Sequence, residues 1–288
     1  MKKLVFLLLL SKLCFAQNDS LVIKNASWKI FDLGNKISWK SVHFQQKELF
    51  NANQSINIIE THLKNRKIKF GFAVADSMKK SNKIKRLLLP TSKIASNIDA
   101  LVAINAGFFD TKNGGAVDFV KIGGVVTDTV RLPNAFHSVA GILINKNKVK
   151  IIKGNEQIGW ERGLKEKNIL LTGPLLRLNN VSENLPKTPF NDNRHPRTCA
   201  CVTNDKKLLL ITIDGRTPQA FGMTLAELTY LAKVLNCKDA INLDGGGSTT
   251  LYIKDQPENG VVNFPCDNKL FDHAGERSVS NIFYLKRR

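Results

Sequence analysis

Residues 240–250 read Ala-Ile-Asn-Leu-Asp-Gly-Gly-Gly-Ser-Thr-Thr, a short apolar strand with polar residues at alternate positions that runs into three glycines and three hydroxyl side chains. Successive strand side chains point to opposite faces, so Asn242 and Asp244 share one face and Ile241 and Leu243 the other. Gly245, Gly246 and Gly247 remove every Cβ where the chain turns, which lets backbone N–H groups approach an anion or a sugar oxygen closely. Ser248, Thr249 and Thr250 add further donors. The competing reading is a glycine-rich turn whose aspartate only binds the amides of its own loop.

Two other strand ends carry an amide or an acid ahead of glycine, Asn105-Ala106-Gly107 and Asp214-Gly215-Arg216, while His195-Pro196-Arg197-Thr198 and Glu276-Arg277-Ser278 bring basic side chains. Gathered at one sheet edge, these loops would offer carboxylates, arginines and close backbone amides. That set suits a phosphorylated sugar: the arginine fork matches phosphate oxygens, and carboxylates hydrogen-bond sugar hydroxyls or assist proton transfer. Structural alternatives stand beside each role. Asp214 and Asp244 would cap turns, Asn105 would pair with backbone, His195 would pack beside Pro196, and Arg277 would be a surface cation. Glu227 is assigned to helix capping, and Phe108 and Phe109 to the core, with one of them forming a pocket wall. A serine hydrolase is poorly supported, because Gly246-Gly247-Ser248 lacks the Gly-x-Ser-x-Gly elbow.

The elements that must position these residues are partly legible. Residues 56–62 and 68–74 read as the two strands of a hairpin around Lys64-Asn65-Arg66-Lys67. Residues 91–101 place Ile94, Ala95, Ile98 and Leu101 at helical spacing, with Thr91 or Ser92 as N-cap. Residues 198–202 and 208–214 form a second hairpin across Asn204-Asp205-Lys206-Lys207. Thr224-Leu225-Ala226-Glu227 is a capping box, and Leu225, Leu228, Ala232 and Leu235 mark the apolar stripe of a helix ending near Asn236. Strands joined by hairpins, with a few interspersed helices, predict an α+β fold with a mixed or antiparallel sheet core and the site at strand ends.

Taken in order, Asn105-Ala106-Gly107-Phe108-Phe109-Asp110, Gly173-Pro174, His195-Pro196-Arg197-Thr198, Asp214-Gly215-Arg216, Gly222-Met223-Thr224 through Glu227, Asn242 through Ser248, and Arg277 resemble the phosphodiester glycosidase family. The resemblance runs from about residue 55 to the C-terminus. It implies hydrolysis of a sugar-1-phosphodiester, with an N-acetylglucosamine-like sugar, at the anomeric carbon to give free sugar and a phosphomonoester. It also implies Asp244 and Asp214 as catalytic groups. Substrate contacts would come from Asn105, Gly107, His195, Arg197, Thr198, Arg216, Asn242, Gly245, Gly246, Ser248 and Arg277. Breaking C1–O develops an oxocarbenium-like sugar, and a phosphate monoester leaves without full protonation, so arginine can replace much of a general acid. Nucleophile and base roles stay open, since carboxylate separation decides between them. Two rival functions are a phosphodiesterase cutting P–O and a non-catalytic module binding envelope polysaccharide.

Residues 1–16 have a basic start at Lys2 and Lys3, an apolar run over 4–10 and Ala16 before Gln17, the pattern of a secretory signal peptide cleaved after Ala16. A membrane anchor would need about 20 apolar residues, and Lys12 interrupts a shorter run. Residues 17–288 read as one domain, secreted or periplasmic, in which 17–54 carry none of the family pattern. The formal charge of +19 falls to +16 once Lys2, Lys3 and Lys12 leave, which favours an anionic partner, a phosphodiester-linked glycan or glycoconjugate. Lysines such as Lys64, Lys67, Lys69, Lys148 and Lys150 are scattered in sequence with few aromatics between them, which argues for a solvated basic surface and against nucleic acid. Cys199, Cys201, Cys237 and Cys266 allow one or two disulfides, with Cys199 and Cys201 on one strand face and not bonded to each other. No zinc pattern is present and no cofactor is demanded, although Asp214 and Asp244 would accept a hard cation such as Ca²⁺.

Overall fold

A computed structural model describes residues 19–75, 86–132, 135–146, 148–155 and 157–288; the expected signal peptide lies outside the described residues. Among those residues, eight strands form the largest sheet, in the order Lys29–Asp32, Ile37–Leu49, Ala52–His62, Lys207–Ile213, Arg197–Thr203, Cys237–Asn242, Leu175–Leu178 and Val181–Ser182. A five-stranded sheet runs Lys148–Lys153, Ala140–Asn145, Asn168–Leu171, Val120–Ile122, Val125–Asp128, and a four-stranded sheet runs Leu251–Ile253, Val102–Asn105, Asn281–Arg287, Ile68–Val74. The strand pairings are antiparallel, which resolves the mixed-or-antiparallel expectation within an α+β fold.

All three sheets contribute to one apolar core: Ile59, Ala200 and Ile241 from the first, Ile142 and Leu170 from the second, Phe70, Ile104 and Phe283 from the third. The far face of the eight-stranded sheet is covered by helix Leu225–Val234, whose Leu225, Leu228, Leu231 and Ala232 pack on Ile58, Ile211 and Ala240. That helix starts as its sequence requires. Thr224 accepts from the Glu227 N–H and the Glu227 carboxylate accepts from the Thr224 N–H, and Glu227 also pairs with Arg194 at 2.6 Å. Helix Thr91–Asn97 lies against the outer face of the four-stranded sheet through Ile94 and Ala95, which meet Ala73, Ala103 and Ile282.

Two local expectations are corrected. Strands Ala52–His62 and Ile68–Val74 do not form a hairpin: the first pairs with Ile37–Leu49 and Lys207–Ile213, the second with Asn281–Arg287. The chain crosses from one sheet to another in the intervening turn, where Asn65 Nδ2 donates to the Asn35 carbonyl at 2.6 Å. Helix Thr91–Asn97 stops four residues short of Leu101 and has Pro90 at its N-cap; Ser92 is occupied instead by Glu276, through its N–H at 3.0 Å and its hydroxyl at 2.5 Å. Residues 29–49, within the stretch whose role the sequence leaves open, form two strands of the large sheet.

The expected disulfide is Cys201–Cys237, joining neighbouring strands across 36 residues; Cys199 and Cys266 are free and buried. Closing a loop of that length stabilises by about 3–4 kcal/mol through the unfolded chain. The double variant Cys201→Ala/Cys237→Ala should therefore lose about that much in urea denaturation. An unchanged midpoint, or an equal loss when wild type and variant are compared in reductant, would show that the crosslink contributes nothing.

Candidate active site

The five distant segments converge, and backbone hydrogen bonds do most of the joining. Asp244 N donates to the Ala106 carbonyl (2.8 Å), Leu243 N to Thr198 O (2.8 Å) and Gly246 N to Pro196 O (2.9 Å). Side chains complete the junction. Asn105 Nδ2 donates to the Asp244 carbonyl at 2.5 Å, and Asn105 Oδ1 accepts from Thr198 Oγ1 at 2.8 Å and from Thr250 N at 3.2 Å. Gly107 N donates to Asn281 Oδ1 at 2.7 Å. The loop after Asp244 is a 3₁₀ turn, Gly246–Ser248, in which Gly246 takes φ +62°, a left-handed conformation that costs glycine little.

Two guanidinium groups stand over this turn. A methyl group added at Gly246 would lie 3.1 Å from Arg216 Nη2, and one at Gly247 would lie 2.6 Å from Arg277 Nη2. Arg216 is exposed and Arg277 half-buried, held by Asp267 through Nε at 3.2 Å and Nη2 at 2.5 Å. Asp244 keeps part of its surface open beside them. Burial pushes its carboxyl up to about 6, against the opposing pull of Ser248, Arg277, the Gly245 N–H and His137. Ser248 Oγ is itself buried with no hydrogen-bond partner of normal geometry. His195 is half-buried at the edge of the group, and burial together with Arg197 and Arg216 lowers its pKa, so its ring is neutral at pH 7.

Other residues in the expected set face inward. Asp214 is 1% exposed and its carboxylate accepts from Ser55 Oγ (2.6 Å), Asn263 Nδ2 (2.9 Å) and Phe264 N (2.9 Å); burial raises its pKa. Arg197 is 1% exposed, donates from Nε to Met223 O and from Nη2 to Phe190 O and Asn193 O, and lies 4.9 Å over the Phe190 ring. Burial lowers it to about 10. Asn242 is fully buried and donates to Gly173 O at 2.9 Å. Asn105 and Thr198 are likewise buried in the junction. Geometry therefore separates an open group, Asp244, Gly245, Gly246, Arg216, Arg277 and His195, from a closed group that holds it in place.

Beside the open group lies a constellation that sequence reasoning missed. His137 Nδ1 is 2.7 Å from the Asp118 carboxylate, with Asp118 1% and His137 9% exposed. Burial raises the Asp118 carboxyl. The His137 ring packs on Phe136 at 4.8 Å and Phe108 at 5.2 Å, and Phe136, 41% exposed, lies 4.8 Å from Phe190. This aromatic wall adjoins the junction because Phe108 follows Gly107, and a methyl at Gly173, the Asn242 acceptor, would lie 2.6 Å from the Phe136 carbonyl. Nineteen residues separate Asp118 from His137, and neither belongs to a motif, so spacing offered no signal. No group of three or more His, Cys, Asp or Glu side chains is arranged to hold a metal among the described residues. A cleft of about 830 Å³ lined by Asn25, Lys29, His43 and Glu48 lies elsewhere, against strand Ile37–Leu49.

A structure of a hypothetical protein from Synechocystis superposes on 91% of the chain and 64% of its own length, with TM-score 0.69 and 15% identity. The catalytic domain of zebrafish N-acetylglucosamine-1-phosphodiester alpha-N-acetylglucosaminidase, auto-inhibited by its pro-peptide, superposes on 88% of this chain and 83% of its own, with TM-score 0.65 and 20% identity. Identities this low establish a shared fold. An SPbeta prophage-derived uncharacterized protein, YomE, of Bacillus subtilis (strain 168) is 27% identical over 97 residues, and the match covers 32% of this chain but only 15% of that relative. The family model for phosphodiester glycosidases matches residues 99–286, the stretch that supplies every residue of the open group and its aromatic wall. The chain belongs to the phosphodiester glycosidase family.

Proposed function

We propose that the protein is an exported hydrolase that breaks the C1–O bond of a sugar-1-phosphodiester in a glycan or glycoconjugate, releasing free sugar and a phosphomonoester. The observation that carries this reading is the placement of Asp244, a partly exposed residue whose carboxyl feels Arg277, next to a glycine turn over which the Arg216 and Arg277 guanidinium groups stand. Arg216, Arg277 and the turn amides bind the phosphate, whose negative charge grows as the bond breaks. Phe108 and Phe136 offer an apolar wall to one face of an N-acetylglucosamine-like sugar. The leader pattern of residues 1–16 supports export, and no helix among the described residues is long and apolar enough to cross a membrane.

In the reaction the electron pair of C1–O departs with the phosphate oxygen, and water supplies the new hydroxyl at C1. Ionised Asp244 either attacks C1 ahead of water or takes the proton water loses. His137, with Nδ1 fixed by Asp118 and Nε2 facing away from that bond, is the second base placed to move a proton. Asp214, Arg197, Asn105 and Asn242 act as positioning groups.

Turnover in ¹⁸O-labelled water should place the label in the sugar; label in the phosphate would establish P–O cleavage instead. Asp244 works ionised and loses its charge below about pH 6, so kcat/KM should be flat above that pH and fall about tenfold per unit below it. Asp244→Asn should lose about 10²–10⁴ in kcat and the acidic limb with it. Retained turnover in this variant would remove Asp244 from the chemistry.

Asp214→Asn would turn an amide N–H₂ toward groups that already donate. It should lower unfolding free energy by about 1–3 kcal/mol in urea titrations. Full stability with abolished turnover would reassign Asp214 to the reaction.

A further inference from the structure

The lysines scattered along the sequence are brought together by the fold at the end of the four-stranded sheet remote from the active site. The turn that carries Lys64, Arg66, Lys67 and Lys69 is the hub, and all four are exposed. Thr61 Oγ1 bonds the Lys36 carbonyl at 2.9 Å and Leu63 N the Lys206 carbonyl at 2.9 Å, so two exposed turn lysines flank it. Arg288 N bonds Lys67 O at 3.1 Å, which adds exposed Arg287 and Arg288 from the C-terminal strand.

None of these eight cations joins an ion pair among the described residues. Of the bordering acids, Asp99 pairs with Lys254 at 2.6 Å and Asp205 with Lys207 at 3.3 Å, while Asp32 accepts from the neutral Gly34 N–H at 2.9 Å. Lys69 and Lys286 are direct cross-strand partners, an arrangement that like charges make unfavourable. Lys286 is relieved by donating to the Ile98 carbonyl at 2.7 Å; Lys69 has no such partner. Among the described residues the eight cations form no ion pair and outnumber the bordering acids Asp99, Asp205 and Asp32, so the surface keeps a net positive field.

We propose that this surface docks a polyanion, specifically a polymer carrying repeated phosphates. The site itself lies near Asn281, six residues up the strand from Arg287 and hence about 20 Å away, so the patch does not belong to the substrate phosphate pocket. Its cations are long exposed side chains on turns and strand ends, suited to a run of charges and not to one enclosed anion. The large exposed hydrophobics of the described residues include none within 62–69 or 285–288, while Ile30 and Phe31 are exposed on the strand ahead of Lys36, so the part of the patch formed by 62–69 and 285–288 lacks both the apolar anchor a bilayer would take and the aromatic platforms that stack nucleic-acid bases.

The test is binding of inorganic polyphosphate, followed by fluorescence anisotropy across a salt series, which needs no turnover and so fails independently of the glycosidase reading. Wild type should bind with strong salt dependence. The variant Lys64→Gln/Arg66→Gln/Lys67→Gln/Lys69→Gln should flatten the slope of log affinity against log salt by about 3, at about 0.7 per lost contact on a single-stranded polyanion. A control with the same charge change on the five-stranded sheet, Lys148→Gln/Lys150→Gln/Lys165→Gln/Lys167→Gln, should keep the wild-type slope, with circular dichroism confirming that both variants are folded. The proposal is overturned by absence of polyphosphate binding, by equal loss in both variants, or by binding to phosphatidylglycerol vesicles in place of the polymer.

Discussion

The active-site end of the molecule depends on one buried amide. Asn105 closes strand Val102–Asn105, and its side chain reaches the Asp244 carbonyl, the Thr198 hydroxyl and the Thr250 N–H at once. These groups belong to separate segments, so the amide fixes how the four-stranded sheet meets the edge of the large one. Asn105 is 0% exposed. Its loss would leave the buried Thr250 N–H without this acceptor and the Thr198 hydroxyl with only Thr249 Oγ1 at 3.4 Å, a costly outcome for polar groups removed from water. Asn105, expected as a sugar contact, is buried here and bonded through its amide to the Asp244 carbonyl, beside its hydrogen bonds to Thr198 and Thr250.

A division of labour follows from burial. Groups that meet the ligand must stay partly hydrated and free, whereas groups that hold them must be satisfied by protein. Arg197 and Asp214 are satisfied by backbone carbonyls and by three donors respectively, and they anchor the segments on which His195 and Arg216 sit. Arg216 keeps an exposed position over Gly246, and Arg277, half-buried and paired with Asp267, lies over Gly247; neither glycine presents a Cβ to obstruct them. Asp244 lies between these regimes. Desolvation weakens its acidity while neighbouring positive charge and donors restore part of it, and the balance leaves a carboxyl that changes state near pH 6.

Local signals were read well where the cause is local. The Thr224/Glu227 capping box and the stripe of Leu225, Leu228 and Ala232 need only neighbouring residues, and both appear as expected. The hairpin of strands Arg197–Thr203 and Lys207–Ile213 also follows from a short polar turn between alternating segments. The reading failed where a distant partner competed. Ser92 looked like a cap, but Glu276 binds it, and residues 56–74 looked like a hairpin, but each strand pairs in a different sheet. The Asp118–His137 pair had no pattern to betray it, because two residues on unrelated loops become partners only through the fold.

The sequence alone determined the chemical inventory and its order along the chain: glycine turns after polar strand ends, arginines nearby, and a family pattern spanning most of the chain. Residue type and two-residue alternation are properties of the covalent polymer and can be read from it. Only tertiary structure decided which members of that inventory face solvent, that Asp244 is open while Asp214 is closed, and that lysines far apart in number share one surface. Exposure and charge density depend on distances between segments, and those distances exist only once the sheets have packed.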